Sequence, residues 1–181
     1  LALLGPPGVG KSMLAERLPG LLPPLSDDLA VEVTAIHSAA GRLGINQGLV
    51  RVPPFQNPHH TATMAALVGG GAHAVRIGIV TLAHGGVLFL DEAAEFERPV
   101  LDAMRQPLES GQVTVSRTGF SMTMPARFQL VIASNPCPCG KFTGTGQDCS
   151  CSPQVRRRYL SRISGPLLDR IDLRVTLERP T

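Results

Sequence analysis

Residues 5–12 read GPPGVGKS, directly after the apolar run Leu1–Leu4. No other stretch limits the fold as strongly. Gly5, Gly10, Lys11 and Ser12 fill the pattern G-x-x-x-x-G-K-S/T, with a further glycine at Gly8. The glycines let backbone N–H groups turn inward around phosphates, and the helix that follows adds its positive end. Pro6, Pro7 and Val9 complete the loop, and Met13 begins the helix behind it. Lys11 is expected to reach the β- and γ-phosphates, and Ser12 to give its hydroxyl oxygen to Mg²⁺. Such a loop works only between a buried strand and a helix, which argues for an α/β fold with a parallel sheet.

The rest of the chain supplies that alternation. Ser26 reads as the N-cap of a helix running to about Gly41, with Asp27 and Asp28 in its first turn. RVPPF (51–55) is extended, Thr61 to Val68 is a short helix, and GGG (69–71) ends it. Residues 72–86 read as an inserted loop or hairpin. VLFLDE (87–92) is a short apolar run ending in two carboxylates, a buried strand with acids at its tip. Pro99 suits the first turn of a helix reaching Ser110–Gly111. QVTVSRTGFSMTM (112–124) alternates around Thr-Gly and reads as a β-hairpin. FQLVIASN (128–135) is a further buried strand, 136–153 a loop, and a basic helix and a last strand to about Glu178 follow.

In a parallel sheet, ligands bind beyond the carboxyl ends of the strands. Asp91–Glu92 and Asn135 should therefore converge on the loop at 5–12. Asp91 is expected to hold Mg²⁺ and Glu92 to orient and polarise the attacking water. The bland alternative makes both acids caps of the next helix. Asn135 either touches the γ-phosphate and the lytic water or merely starts a turn before Pro136. Guanine-selective enzymes carry N-K-x-D, which this chain lacks, so ATP is the expected nucleotide. Arg170, in LLDRID (167–172), is either an ion-pair partner of Asp169 or Asp172, or an arginine finger offered to a neighbouring subunit.

The four cysteines, Cys137, Cys139, Cys149 and Cys151, fall in one loop with the spacing C-x-C-x9-C-x-C. Four thiolates so close can surround a structural Zn²⁺ that pins the loop beside Asn135. Reduced thiols and disulfides are the alternatives, the second disfavoured in a cytoplasmic protein. His59 and His60 read as packing or helix-start residues. Arg156, Arg157, Arg158 and Arg162 form a basic run, read as a solvated helix face.

The motifs taken in order, GPPGVGKS, VLFLDE, ASN (133–135) and LLDRID, resemble an AAA+ ATPase. FQNPHHTAT, LVGGG, RQPLESGQVTVSR, NPCPCG, CSCSP and RISGPLLDRIDL narrow the resemblance to the YifB/ComM family of magnesium-chelatase-like bacterial proteins, over nearly the whole chain. The resemblance implies a P-loop NTPase core with sheet order 5-1-4-3-2, flanked by helices, carrying a helix-2 insert and a pre-sensor-1 β-hairpin. It implies residues 1–181 as one core domain, a piece of a longer protein with an N-terminal Lon-protease-like domain and a C-terminal lid. It further implies an ATP-hydrolysing homo-hexamer that drives branch migration of DNA. Arg117, Thr118, Gly119, Phe120 and Ser121 at the hairpin tip are then the candidates for contact with branched or single-stranded DNA. A chelatase-like ATPase remodelling a protein partner is the second reading. One departure stands out: a G-E-I-S/T-L stretch is expected before the Walker B strand, but GIVTL (78–82) carries Ile79 in place of the acid.

Composition narrows the partners. Aromatics are 4% with no Trp and one Tyr, so base-stacking platforms have few candidates, and the formal net charge is a mild +3. No apolar run approaches the roughly 18 residues a membrane span needs.

Overall fold

Alternate side chains of the buried strands point to opposite faces, and this places helices on both sides of the sheet. A computed structural model describes residues 1–45, 47–71, 76–117, 120–143, 146, 148–163 and 165–178. Five parallel strands form the main sheet: β1 (Ala2–Leu4), β2 (Phe55–Gln56), β5 (Val87–Leu90), β8 (Gln129–Ser134) and β9 (Arg174–Thr176). Their spatial order is β2-β5-β8-β1-β9. Counted as the first to fifth core strands, this is the expected order 5-1-4-3-2 read from the other edge.

Leu88, Leu90, Leu130 and Ile132 face one side and pack with Leu67, Val80, Leu101, Met104 and Leu167. Val87, Phe89, Val131 and Ala133 face the other and pack with Ala15 of α1 (Lys11–Arg17). Phe55 and Phe89 stack across β2 and β5 with ring centroids 6.0 Å apart. The helix α2 (Asp27–Ala39) buries Ala30 and Val33. Ser26 takes its N-cap position but makes no side-chain capping bond.

Between β2 and β5 lies the inserted segment. It holds α3 (Met64–Val68), the short antiparallel pair β3 (Gly69–Gly70) and β4 (Arg76–Ile77), and α4 (Ile79–Leu82). β3 lies before 72–86, and the loop-or-hairpin reading of that stretch covers β4 but not α4. Its run Ile79-Val80-Thr81-Leu82 looks strand-like by propensity, yet it coils so that Val80, Thr81 and Leu82 are all buried. Tertiary packing overrides β-branched preference here.

The single helix expected from Pro99 is two: α5 (Arg98–Asp102) and α6 (Arg105–Ser110). Pro107 is the cause. It has no N–H to give to the carbonyl of Ala103, and its ring collides with that carbonyl in a continuous helix. The chain then pairs β6 (Gln112–Arg117) with β7 (Phe120–Pro125), the hairpin read from alternation. Two helices close the sequence, α7 (Pro153–Leu160) and α8 (Gly165–Leu168). Ser152 caps α7 by accepting from the Val155 N–H at 3.3 Å. Among the described residues no helix is long and apolar enough to cross a membrane.

The Phe89 ring is fully buried at the centre of the second core. Phe89→Ala is expected to cost about 3–5 kcal/mol of stability. Urea unfolding measures it, and a loss under about 1 kcal/mol contradicts this packing.

Candidate functional site

The central strands end together. β1 runs into the loop 5–10, its neighbour β8 into Asn135, and the next strand, β5, into Asp91 and Glu92. Gly8 and Gly10 hold φ of 80° and 86°, which open the loop inward where a side chain would strain it. Lys11, at the start of α1, is 8% exposed. Its ammonium donates to the carbonyls of Gly5 at 2.7 Å and Pro6 at 2.8 Å, and to Asn135 Oδ1 at 3.1 Å. Burial lowers its pKa from the ordinary value, opposed by the nearby charges of Asp91 and Glu92. A buried cation with three oxygen partners is poised to exchange them for phosphate oxygens.

Ser12 Oγ donates to Asp91 Oδ2 at 2.6 Å. The hydroxyl and the carboxylate therefore already flank one point, the arrangement a Mg²⁺ with oxygen ligands and waters requires. The Glu92 N–H donates to Asp91 Oδ1 at 2.9 Å and fixes the acid from its other oxygen. Glu92 itself sits at φ 50°, ψ 46°, the one non-glycine residue with positive φ among those described. Such strain persists only where the surroundings impose it, and it swings this carboxylate away from a strand continuation.

His60, expected as a packing or helix-start residue, does pack, and it also reaches the candidate site. Its Nδ1 lies 3.5 Å from Glu92 Oε2. His59 packs on it at 4.1 Å between ring centroids, and Phe96 meets it edge-on at 6.5 Å. Asn57, Pro58, the two histidines, Asp91 and Glu92 line a small cavity of about 230 Å³. The signal was present in the strand order. β2 pairs with β5, so residues just after Gln56 must flank residues just after Leu90.

The helix α7 backs the site. Arg162 donates to Ala94 O at 3.3 Å and to Glu95 Oε2 at 3.2 Å. Tyr159 beneath it is buried, and burial, with the charge of Glu95 next, pushes its phenol up to about 12. Arg170 stands apart, half-exposed in an ion pair with Glu109 of α6. The ion-pair alternative thus takes a distant partner, not Asp169 or Asp172. At the hairpin tip Arg117 and Phe120 form the last backbone pair, while Thr118 and Gly119 lie outside the described residues.

The cysteines gather in space. All four sulfurs lie within 4.8 Å of one another. Cys137 and Cys139 sulfurs are 3.3 Å apart, and each is 3.7 Å from Cys149. A tetrahedron with Zn–S bonds near 2.3 Å requires sulfurs about 3.8 Å apart. All four are free thiols, and Cys137 is buried. The backbone N–H of Lys141, and then the neighbouring thiols, lower Cys139 to about 6. Burial pushes the Cys137 thiol up and Cys151 is raised to about 11, so a metal held here would have to displace their protons; four soft sulfur donors this close could surround a Zn²⁺.

The chain matches the family described as "Magnesium chelatase, subunit ChlI" over residues 1–181. It is 52% identical to an uncharacterised Escherichia coli protein named YifB, over 99% of this chain and 35% of that protein. It is 53% identical to the competence protein ComM of Haemophilus influenzae, over 97% of this chain and 34% of that protein. The chain thus spans about a third of the length of these relatives. Among solved structures it superposes on a chain of the complex between subunits BchI and BchD of magnesium chelatase. The TM-score is 0.63 at 22% identity, covering 99% of this chain and 53% of that one.

Removing the buried ammonium is the direct test of the loop. Lys11→Ala is expected to weaken ATP binding by about 10- to 100-fold, the worth of a charge-assisted contact. Titration with a fluorescent ATP analogue measures it, and an unchanged affinity contradicts the assignment.

Proposed function

The chain belongs to the magnesium chelatase ChlI family, in its YifB/ComM branch, and from that premise we propose that it is the motor core of an ATP-hydrolysing AAA+ protein acting on DNA. One observation carries the ATPase part. Three neighbouring strands deliver a buried lysine held by an asparagine, a serine touching an aspartate, and a strained glutamate to one end of the sheet.

In this reading the loop 5–12 wraps the phosphates of ATP through backbone N–H groups, and Lys11 trades its loop carbonyls for the β- and γ-phosphates. Ser12 and Asp91 hold Mg²⁺, which supplies positive charge against the phosphates. Glu92 orients and polarises the water that attacks the γ-phosphate, and His60 steadies its carboxylate from the opposite wall. Asn135 contacts the γ-phosphate end. Arg170 releases Glu109 and reaches the ATP of a neighbouring subunit, so turnover depends on assembly. A homo-hexamer in the cytoplasm fits this need for a partner subunit, with a Lon-protease-like domain before and a lid after the core.

In this reading Arg117, Thr118, Gly119 and Phe120, in the turn region of the β6–β7 hairpin, are the candidates to grip phosphates of branched or single-stranded DNA without reading sequence. The second reading, remodelling of a protein partner, draws on the solved neighbour, which belongs to a complex of two different subunits. Zinc on Cys137, Cys139, Cys149 and Cys151 completes the proposed cofactor set, a reading supported by four sulfurs within 4.8 Å of one another.

Glu92→Gln is expected to keep ATP affinity and to lower kcat by at least about 100-fold in the full-length protein. Wild-type turnover in that variant contradicts the role given to Glu92. Binding of branched DNA should weaken by orders of magnitude between low and physiological salt if several phosphates are contacted. Salt-indifferent or absent DNA binding favours the protein partner instead. Elemental analysis should find close to one zinc per chain, and less than about 0.3 removes zinc from the account.

A further inference from the structure

The cysteine cluster lies against the nucleotide loop. Gly140, directly after Cys139, sits at φ 71°, and a Cβ there would come 2.6 Å from Pro7 Cδ and 2.7 Å from Pro7 Cγ. The backbone of the cysteine loop thus rests on the middle of GPPGVGKS with no space for a methyl group. Its N–H donates to the Cys137 carbonyl at 2.9 Å, closing a turn over residues 137–140. At the other end of that turn, Cys137 follows Asn135 and Pro136, and Asn135 holds the Lys11 ammonium. The cluster therefore touches the phosphate loop by two routes, through Gly140 to Pro7 and through Asn135 to Lys11.

Among the described residues the loop is otherwise held by turns of its own, with the Gly146 N–H donating to Thr143 O at 2.8 Å and the Cys149 N–H to Gly146 O at 3.1 Å. Behind it opens a cavity of about 490 Å³, walled by Gly5, Pro6, Pro136, Phe142, Arg156 and Leu160 among others. Beyond the cluster its attachments to α7 are light. The Arg156 guanidinium lies 3.9 Å from the Phe142 ring centroid and donates to Cys151 O at 3.4 Å. A long loop with an open cavity behind it gains a fixed shape from a cross-link. Four sulfurs drawn to one centre supply that cross-link.

We propose that the four-cysteine cluster, once metal-bound, is a positioning element of the nucleotide site that presses Pro7 and Asn135 into their ATP-binding places. This rests on the zinc reading above and extends it from holding a loop to setting nucleotide affinity.

Two variants of the full-length protein test it. Cys149→Ser with Cys151→Ser removes the half of the cluster farthest in sequence from Asn135. It should lose zinc and raise both the Kd for a fluorescent ATP analogue and the KM for ATP by about tenfold. At saturating ATP, kcat should change far less. Should that variant fold poorly, Gly140→Ala keeps all four thiols. It should retain zinc yet weaken ATP binding, and adding Pro7→Ala should recover part of that loss relative to Pro7→Ala alone. A wild type without zinc overturns the zinc reading and this proposal together. Zinc lost with ATP affinity within twofold of wild type, or Gly140→Ala binding ATP as the wild type does, overturns this proposal alone.

Discussion

A buried ammonium is the constraint on which this structure turns. Taking Lys11 out of water is costly unless oxygens replace its hydration. The Gly5 and Pro6 carbonyls of the loop after β1 do so, together with Asn135 at the end of β8. The two carbonyls require the loop to curl inward, which Gly8 and Gly10 permit at positive φ. Asn135 requires β8 to run beside β1 in parallel, with Ala133 and Ser134 opposite Leu3 and Leu4. The same register carries Ser12 to Asp91, because β8 also pairs with β5. Parallel order, loop shape and acid placement are thus consequences of one arrangement around one cation.

The helices serve that arrangement from outside. Burial of Leu88, Leu90 and Ile132 on one face and of Phe89, Val131 and Ala133 on the other holds the central strands rigidly. Their tips, by contrast, are where strain collects, at Glu92. A stiff sheet with a strained residue at its edge places the work of the site where motion is cheapest to confine.

The parts legible in sequence were those with local chemistry. GPPGVGKS, the apolar run ending in Asp91–Glu92, and the alternating strands of the hairpin carry their structural meaning within a few residues. The sheet order came from resemblance to the YifB/ComM family, and the strands take that order. What stayed hidden depended on packing between distant segments. His60 meets Glu92 because β2 lies beside β5, a pairing no local pattern announces. Arg170 finds Glu109 across α6 rather than the aspartates beside it. The split of α5 from α6 was readable from Pro107, whose position inside a helix forbids the bond to Ala103. The helix α4 was not, since its β-branched residues argue for a strand and only burial makes them coil.

We propose that this site hydrolyses ATP to move DNA. The direct measurement is steady-state ATP turnover of the full-length protein with and without branched DNA, at physiological salt. A DNA motor gives turnover stimulated several-fold by DNA, with both basal and stimulated rates lost in Glu92→Gln. Robust turnover indifferent to DNA would contradict the DNA motor and leave an ATPase whose partner is a protein.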